Sequence, residues 1–287
     1  MRLYLALLSL SFIWGIAFIL IKMTVNVTGV WGMVFLRCLI GAIALTPLFI
    51  WTLIKTKPSI PLKQLIILGT INAGIPWGLL AWSETVINSN TTSVINALTP
   101  IFTALIGYLF FSKRLQKKQW IGILTGFLGI IILMEFQIQH LFGSDFIGIG
   151  TMVLATIFYG FGSQYLKKHL QKTDLIITTT VSLFVASLVG LLIALVVHDM
   201  PAFAEFDLSV TLIVLALGAL GSGLAHIILY YMIINGTPEF ATTVAYIIPI
   251  SAMIASYLIL EEPITANLIL GMLIIFSGIY LTSRQHR

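Results

Sequence analysis

Polar side chains set inside otherwise apolar stretches are the residues of this chain that could do chemistry. Ser222 and His226 stand four apart, which puts a hydroxyl and an imidazole on one helix face. A serine nucleophile also needs a group to orient its base and donors for the oxyanion. No acidic residue in that stretch would orient His226, and Gly223 offers no oxyanion hole while helical, so hydrolysis is not expected and the chain does not read as an enzyme. His226 could carry a proton near neutral pH or stand as a neutral hydrogen-bonded contact. There is no Walker A or other phosphate loop, so ATP-driven work is not expected. The single cysteine, Cys38, forbids an internal disulfide, no Cys/His spacing reads as a metal site, and no cofactor is expected.

Polar groups in the hydrocarbon zone are costly, which makes them the first candidates for a passage. Pro100 and Pro249 each lack an N–H and crowd the carbonyl four residues back, at Asn96 and Ala245. A carbonyl freed near mid-span is tolerated only against protein or a wet cavity. The spacing predicts that Asn96, Pro100, Thr103 and Gly107 share one helix face. Trp14, Tyr159 and Tyr246 should lie deep, where an aromatic with a polar tip can line a pocket or pack. Trp82, near the end of a stretch, reads as an interfacial anchor. The candidate substrate-binding set is Trp14, Asn72, Trp77, Asn96, Pro100, Tyr159, His226, Tyr246 and Pro249. Arg37 stands about six residues from the end of its stretch, roughly 9 Å of rise. It could snorkel to the surface or pair with Glu84, and these two are the candidate gating or structural residues. Gly74/Gly78, Gly122/Gly126 and Gly218/Ser222 are small-residue pairs that permit close helix packing.

The elements that must position these groups are membrane helices. Of 287 residues, 59% are hydrophobic and 9% charged, with a mean hydropathy of +1.07. A soluble domain carries about 25% charged residues, so this chain could not cover its surface in water. Stretches of the required roughly 17–25 apolar residues run near Leu3–Ile21, Trp31–Ile54, Gln64–Ser83, Thr91–Phe111 and Trp120–Met134. They continue near Phe146–Leu166, Leu175–Val197, Val210–Ile234, Phe240–Leu260 and Thr265–Ser283. The expected fold is all-α, with ten transmembrane helices in two inverted five-helix repeats, at 1–140 and 146–284. Arg2 and the apolar run to Ile21 look like a signal peptide, but no small-residue cleavage site follows, so an uncleaved first helix is expected.

The repeat is written in the spacing. An interval of 149 separates Pro100 from Pro249, Gly122 from Gly271 and Gly129 from Gly278. An interval of 145 separates Gly15 from Gly160 and Lys22 from Lys167. Alternating sides from an inside N-terminus puts 13 of the 15 basic residues in inside loops, leaving only Lys22 outside and Arg37 within a stretch. That asymmetry places both termini in the cytoplasm, and five stretches per copy makes the second copy inverted. Basic residues in short loops report topology, so a pI near 9.3 implies no nucleic-acid partner.

Ten stretches in two copies, Trp14–Gly15 in the first, Phe35 and Arg37 in the second, and the prolines of the fourth and ninth resemble the drug/metabolite transporter superfamily, EamA-like branch. A repeat-closing acid, turn and glycine is matched by Glu261/Glu262, Pro263 and Gly271. The first copy reads Ser112–Lys113–Arg114 there, a departure that puts positive charge where the cytoplasmic side is expected. The resemblance implies a secondary transporter of the cytoplasmic membrane, more often exporting than importing. Its partners would be the lipid bilayer and a small metabolite, amino-acid-like or amphipathic drug-like solute; the oligomeric state is open. No Asp or Glu falls at mid-depth, which favours a neutral or zwitterionic solute over a carboxylate proton relay. A passive channel and a non-transporting scaffold are the alternatives.

Overall fold

The computed structural model describes residues 2–133 and 144–283. Among these the chain is helical, with no strand. In chain order the helices are α1 (Arg2–Thr28), α2 (Val30–Thr56), α3 (Leu62–Val86), α4 (Ser89–Phe110) and α5 (Lys117–Leu133). The second half has α6 (Ser144–His169), α7 (Leu175–Val197), α8 (Leu208–Asn235), α9 (Pro238–Ile259) and α10 (Ala266–Ser283).

Among the described residues eight helices, all but α5 and α10, are long and apolar enough to cross a bilayer, where the sequence leads one to expect ten. The 17 residues of α5 rise only about 25 Å against a hydrocarbon core of about 30 Å, and they begin with Lys117 and Lys118. In α10 the apolar part is Ala266–Gly278. Met134, Glu135, residues 137–143 with the expected repeat boundary at 140, Arg284 and Arg287 lie outside the described residues. Elsewhere α1, α2, α3, α6 and α8 overrun the expected bounds at both ends, and α7 matches them. α1 continues past Ile21 because Thr24 and Thr28 donate their hydroxyls to Leu20 O (2.7 Å) and Thr24 O (3.0 Å), hiding their polarity within the helix.

Gly29 (φ 69°) turns α1 directly into α2. A Cβ there would meet Asp199 O at 2.8 Å. Asp199 Oδ2 accepts from the Trp31 N–H at 2.8 Å, one of the amides that a helix start leaves without an internal partner.

Four helices depart from regular geometry. α3 and α8 each widen into a π turn, at Thr70–Gly74 and Ala219–Leu224, which begin 149 residues apart. α4 is interrupted at Ala97–Leu98, just before Pro100, and α9 at Thr243, ahead of Pro249. Both then turn away through a left-handed residue, Ser112 (φ 54°) and Glu261 (φ 55°), again 149 apart.

The most extensive packing joins α5 to α10 and α2 to α7; α1 lies on α9, and α6 lies on α3 and α4. The α5–α10 contact is nearly backbone to backbone. A Cβ on Gly278 would meet Gly122 O at 2.5 Å, and one on Gly129 would meet Ile275 N at 2.9 Å. Small residues let membrane helices approach this closely. α4 is central, with 78% of its apolar window enclosed against 39% in α1, α7 and α9. Exposed Ile54, Leu192, Val196 and Leu258 leave the outer faces apolar, as contact with acyl chains requires.

Candidate functional site

Between the helices lies a cavity lined from α1, α2, α3, α4, α6, α8 and α9. Its charged wall residue is Arg37, only 3% exposed. Arg37 Nε donates to Ser222 Oγ at 3.1 Å, Nη2 donates to Gly221 O at 3.5 Å, and the guanidinium carbon stands 3.7 Å over the Trp77 ring. The π turn of α8 explains the available carbonyl. Widening the helix upsets the i→i−4 ladder, and in a membrane the displaced carbonyl must find a protein partner. Gly221 O finds two, Arg37 and Trp14 Nε1 at 3.1 Å. Arg37 therefore turns inward. It neither snorkels nor pairs with Glu84, which instead accepts from Ser89 Oγ at 2.8 Å at one end of the cavity.

His226 is held among three rings: Trp77 (4.9 Å, 74°), Tyr230 (5.4 Å, 81°) and Trp14 (5.9 Å, 64°), all edge to face. Its Nδ1 lies 3.2 Å from the backbone oxygen of Ser222. A carbonyl only accepts, so Nδ1 carries the hydrogen. The Ser222 hydroxyl is itself engaged, donating to Leu217 O at 2.9 Å, so serine and histidine are not arranged as nucleophile and base. In the other π turn, Asn72 Nδ2 donates to the Tyr230 hydroxyl at 3.2 Å.

Trp14, Asn72, Trp77, Asn96, Tyr159 and His226 all reach the cavity, together with Arg37. Pro100, Tyr246 and Pro249 do not line it. The interruption at Ala97–Leu98 breaks the helical phase, so Thr99 shares the wall with Asn96 and Pro100 turns away from it. The carbonyl that Pro100 crowds is not left to the cavity either, because Thr99 Oγ1 donates to Asn96 O at 2.7 Å. Around Pro249 it is Ala245 and Ile248 that face inward. The ring of Tyr246 lies 6.3 Å from Phe276 of α10, and its hydroxyl is enclosed without a hydrogen-bond partner among the described residues. Ser163, Thr242 and Thr99 are wall residues that sequence reasoning missed. Ser163 follows Tyr159 by one helical turn, a signal that could have found it.

Two polar clusters flank the cavity at opposite ends of α4 and α9. Beyond Ser163 and Thr242, Lys113 Nζ lies 2.6 Å from Glu239 Oε1, which also accepts from Gln164 Nε2 at 2.8 Å. Lys167 Nζ donates to Ile234 O (2.7 Å) and Gly236 O (3.0 Å), closing the end of α8. At the other end Glu262 accepts from the N–H groups of Ser89 (3.2 Å) and Asn90 (3.3 Å) and from Ser256 Oγ (2.5 Å). Lys22 Nζ donates to Glu84 O and to Ile87 O (3.1 Å), closing the end of α3. Lys113 and Glu262 are 149 residues apart, and Lys22 and Lys167 are 145 apart. Among the described residues no three His, Cys, Asp or Glu side chains group as metal ligands.

Residues 1–135 and 146–284 each match the profile of the EamA-like transporter family. An uncharacterized transporter, YoaV, of Bacillus subtilis (strain 168) is 24% identical over 98% of this chain and 97% of its own length. An uncharacterized transporter of Archaeoglobus fulgidus is 26% identical over 95% of both chains. The uncharacterized inner membrane transporter YedA of Escherichia coli (strain K12) is 28% identical over 87% of this chain and 80% of its own. A protein crystal structure superposes with a TM-score of 0.65 over 96% of both chains at 14% identity, a likeness of fold alone.

Proposed function

The chain belongs to the EamA-like transporter family, and from that premise we propose that it moves a small, partly apolar organic solute through the central cavity by alternating access. It is a multi-pass membrane transporter. In the proposed arrangement α5 and α10 also cross, giving ten spans, and the two matched stretches are inverted copies with both termini in the cytoplasm. Thirteen inside basic residues support that orientation. The reciprocal packing of α1 on α9 and α6 on α4 supports the inversion, as do the paired π turns.

The observation that carries this reading is a cavity walled from both halves with a polar latch at each end. Inverted repeats place a site at the interface of the two copies, and rocking one against the other exposes it to either side. The Lys113–Glu239–Gln164 cluster would close the cytoplasmic mouth, and Glu262 on the start of α4 would close the opposite one. Export is the proposed direction.

Purified protein in liposomes preloaded with candidate metabolites should show saturable counterflow that Trp77→Ala abolishes or weakens strongly. Flux that rises linearly with concentration and shows no counterflow would instead mark a passive channel, and no flux at all would sink the transport reading.

A further inference from the structure

We infer that Arg37 is the receptor for a carboxylate on the transported solute, so that the cargo is a small monoanion whose carboxylate is carried on a flat apolar body. The inference depends on the central cavity being the passage.

Arg37 is a positive charge enclosed within the membrane-spanning bundle, and among the described residues no carboxylate pairs with it. Its partners are neutral: a hydroxyl (Ser222), a carbonyl (Gly221) and a ring face (Trp77). A guanidinium has five N–H donors in a planar fork. The contacts made use Nε and one hydrogen of Nη2, so Nη1 is left without a partner among the described residues. Stacking on Trp77 at 3.7 Å covers one face of the guanidinium and leaves its edge for an incoming acceptor. Buried charges are normally paired, and here the cavity itself is what lies beside the unpaired edge.

The remaining walls narrow the cargo. Among the described residues no Asp or Glu lines the cavity, so an ammonium group would find no counter-charge in its wall. None of them adds a second cation to it either, and Lys22 and Lys167 are spent on helix-end carbonyls. One fixed positive charge balances one negative charge, which fits a carboxylate and leaves a dianionic phosphate in excess. Trp14, Trp77, Tyr159 and His226 supply flat surfaces for a ring.

The test uses the full-length protein in detergent and in liposomes. Binding is read from tryptophan fluorescence, with benzoate, 3-phenylpropionate and indole-3-acetate as probes, each beside its own amide and amine. At least one acid should bind about tenfold or more tightly than its amide and amine, the difference a charge-assisted fork makes. Arg37→Gln should bring that ratio to about one, and Arg37→Lys should keep part of the preference. The wild-type ratios decide the matter even if Arg37→Gln does not fold. No acid exceeding its amide in the wild type, or a preference surviving in Arg37→Gln, overturns the inference. Amides or amines that exchange by counterflow while acids do not would overturn it and leave transport standing. A tenfold acid preference with no counterflow of any solute would overturn the transport reading, and with it the cargo, leaving Arg37 as a carboxylate receptor only.

Discussion

Trp77 and His226, 149 residues apart in the chain, meet edge to face with ring centroids 4.9 Å apart. The same Trp77 ring carries Arg37 on its face. One side chain therefore couples α2, α3 and α8 at the wall of the cavity. Trp77→Ala removes a cation–π contact and an aromatic pair, each worth about 0.5–2 kcal/mol. The half-saturating concentration of the transported solute should rise about tenfold, and Trp77→Phe should keep most of the affinity. An unchanged value in Trp77→Ala would remove this ring from the binding wall.

The two latches should answer to opposite sides of the membrane. The Lys113–Glu239 pair is partly exposed, at 42% and 23%, so it is worth only about 0.2–1 kcal/mol. Lys113→Ala should raise cavity access from its own side about two- to fivefold. Glu262 is 8% exposed and holds two N–H groups at the start of α4, so Glu262→Gln should act more strongly, about tenfold, from the other side. A Thr99→Cys reporter in a Cys38→Ala background, labelled by an impermeant maleimide in right-side-out and inverted vesicles, reads both effects. Increases from the same side would rule out a latch at each end.

Asn72 and the Tyr230 hydroxyl satisfy one another while almost wholly enclosed. Asn72→Leu should cost about 1–3 kcal/mol by taking a donor from that enclosed hydroxyl. Adding Tyr230→Phe should recover much of the loss, because neither polar group then lacks a partner. Thermal unfolding of the two single variants and the double variant measures the coupling, and simple additivity would contradict it.

Gly278 faces the backbone of α5, where Gly122 O and Gly126 N would lie 2.5 and 2.6 Å from an added Cβ. Backbone cannot step aside as a flexible side chain can, so Gly278→Val should destabilise by about 1–3 kcal/mol or more. Gly150 has nothing within 4 Å of a built Cβ, and Gly150→Ala should be neutral or gain about 0.5–1 kcal/mol of helix propensity. Equal melting temperatures for the two variants would mean that α5 and α10 separate freely.

Much of this was legible in the sequence wherever helical phase is unbroken. Depth alone points to Trp14, Tyr159 and Tyr246; the first two line the cavity, on helices that keep their register through those residues, and Tyr246 does not. Phase arithmetic failed across the interruption at Ala97–Leu98, where Thr99 replaced Pro100 on the wall, and near Thr243, where Tyr246 swung toward α10. Arg37 could not be read because its partner is a carbonyl released by a π turn, and backbone widening leaves no mark in residue type. Eight of the ten expected spans are long and apolar enough to cross among the described residues, all but α5 and α10. The latches join residues from opposite halves. Their one trace in the sequence was the opposite charge of Lys113 and Glu262 at matched positions.

The glycine-lined seam of α5 and α10 has a mechanical consequence. One helix comes from each of the two stretches that match the family, and a seam with almost no side chains between backbones has no slack to slide or part. Relative motion of the halves then has one cheap course, a swivel about this seam as about an axle. Displacement is smallest beside an axle and grows with distance from it, so α1, α3, α6 and α8, whose principal contacts lie elsewhere, would carry the stroke.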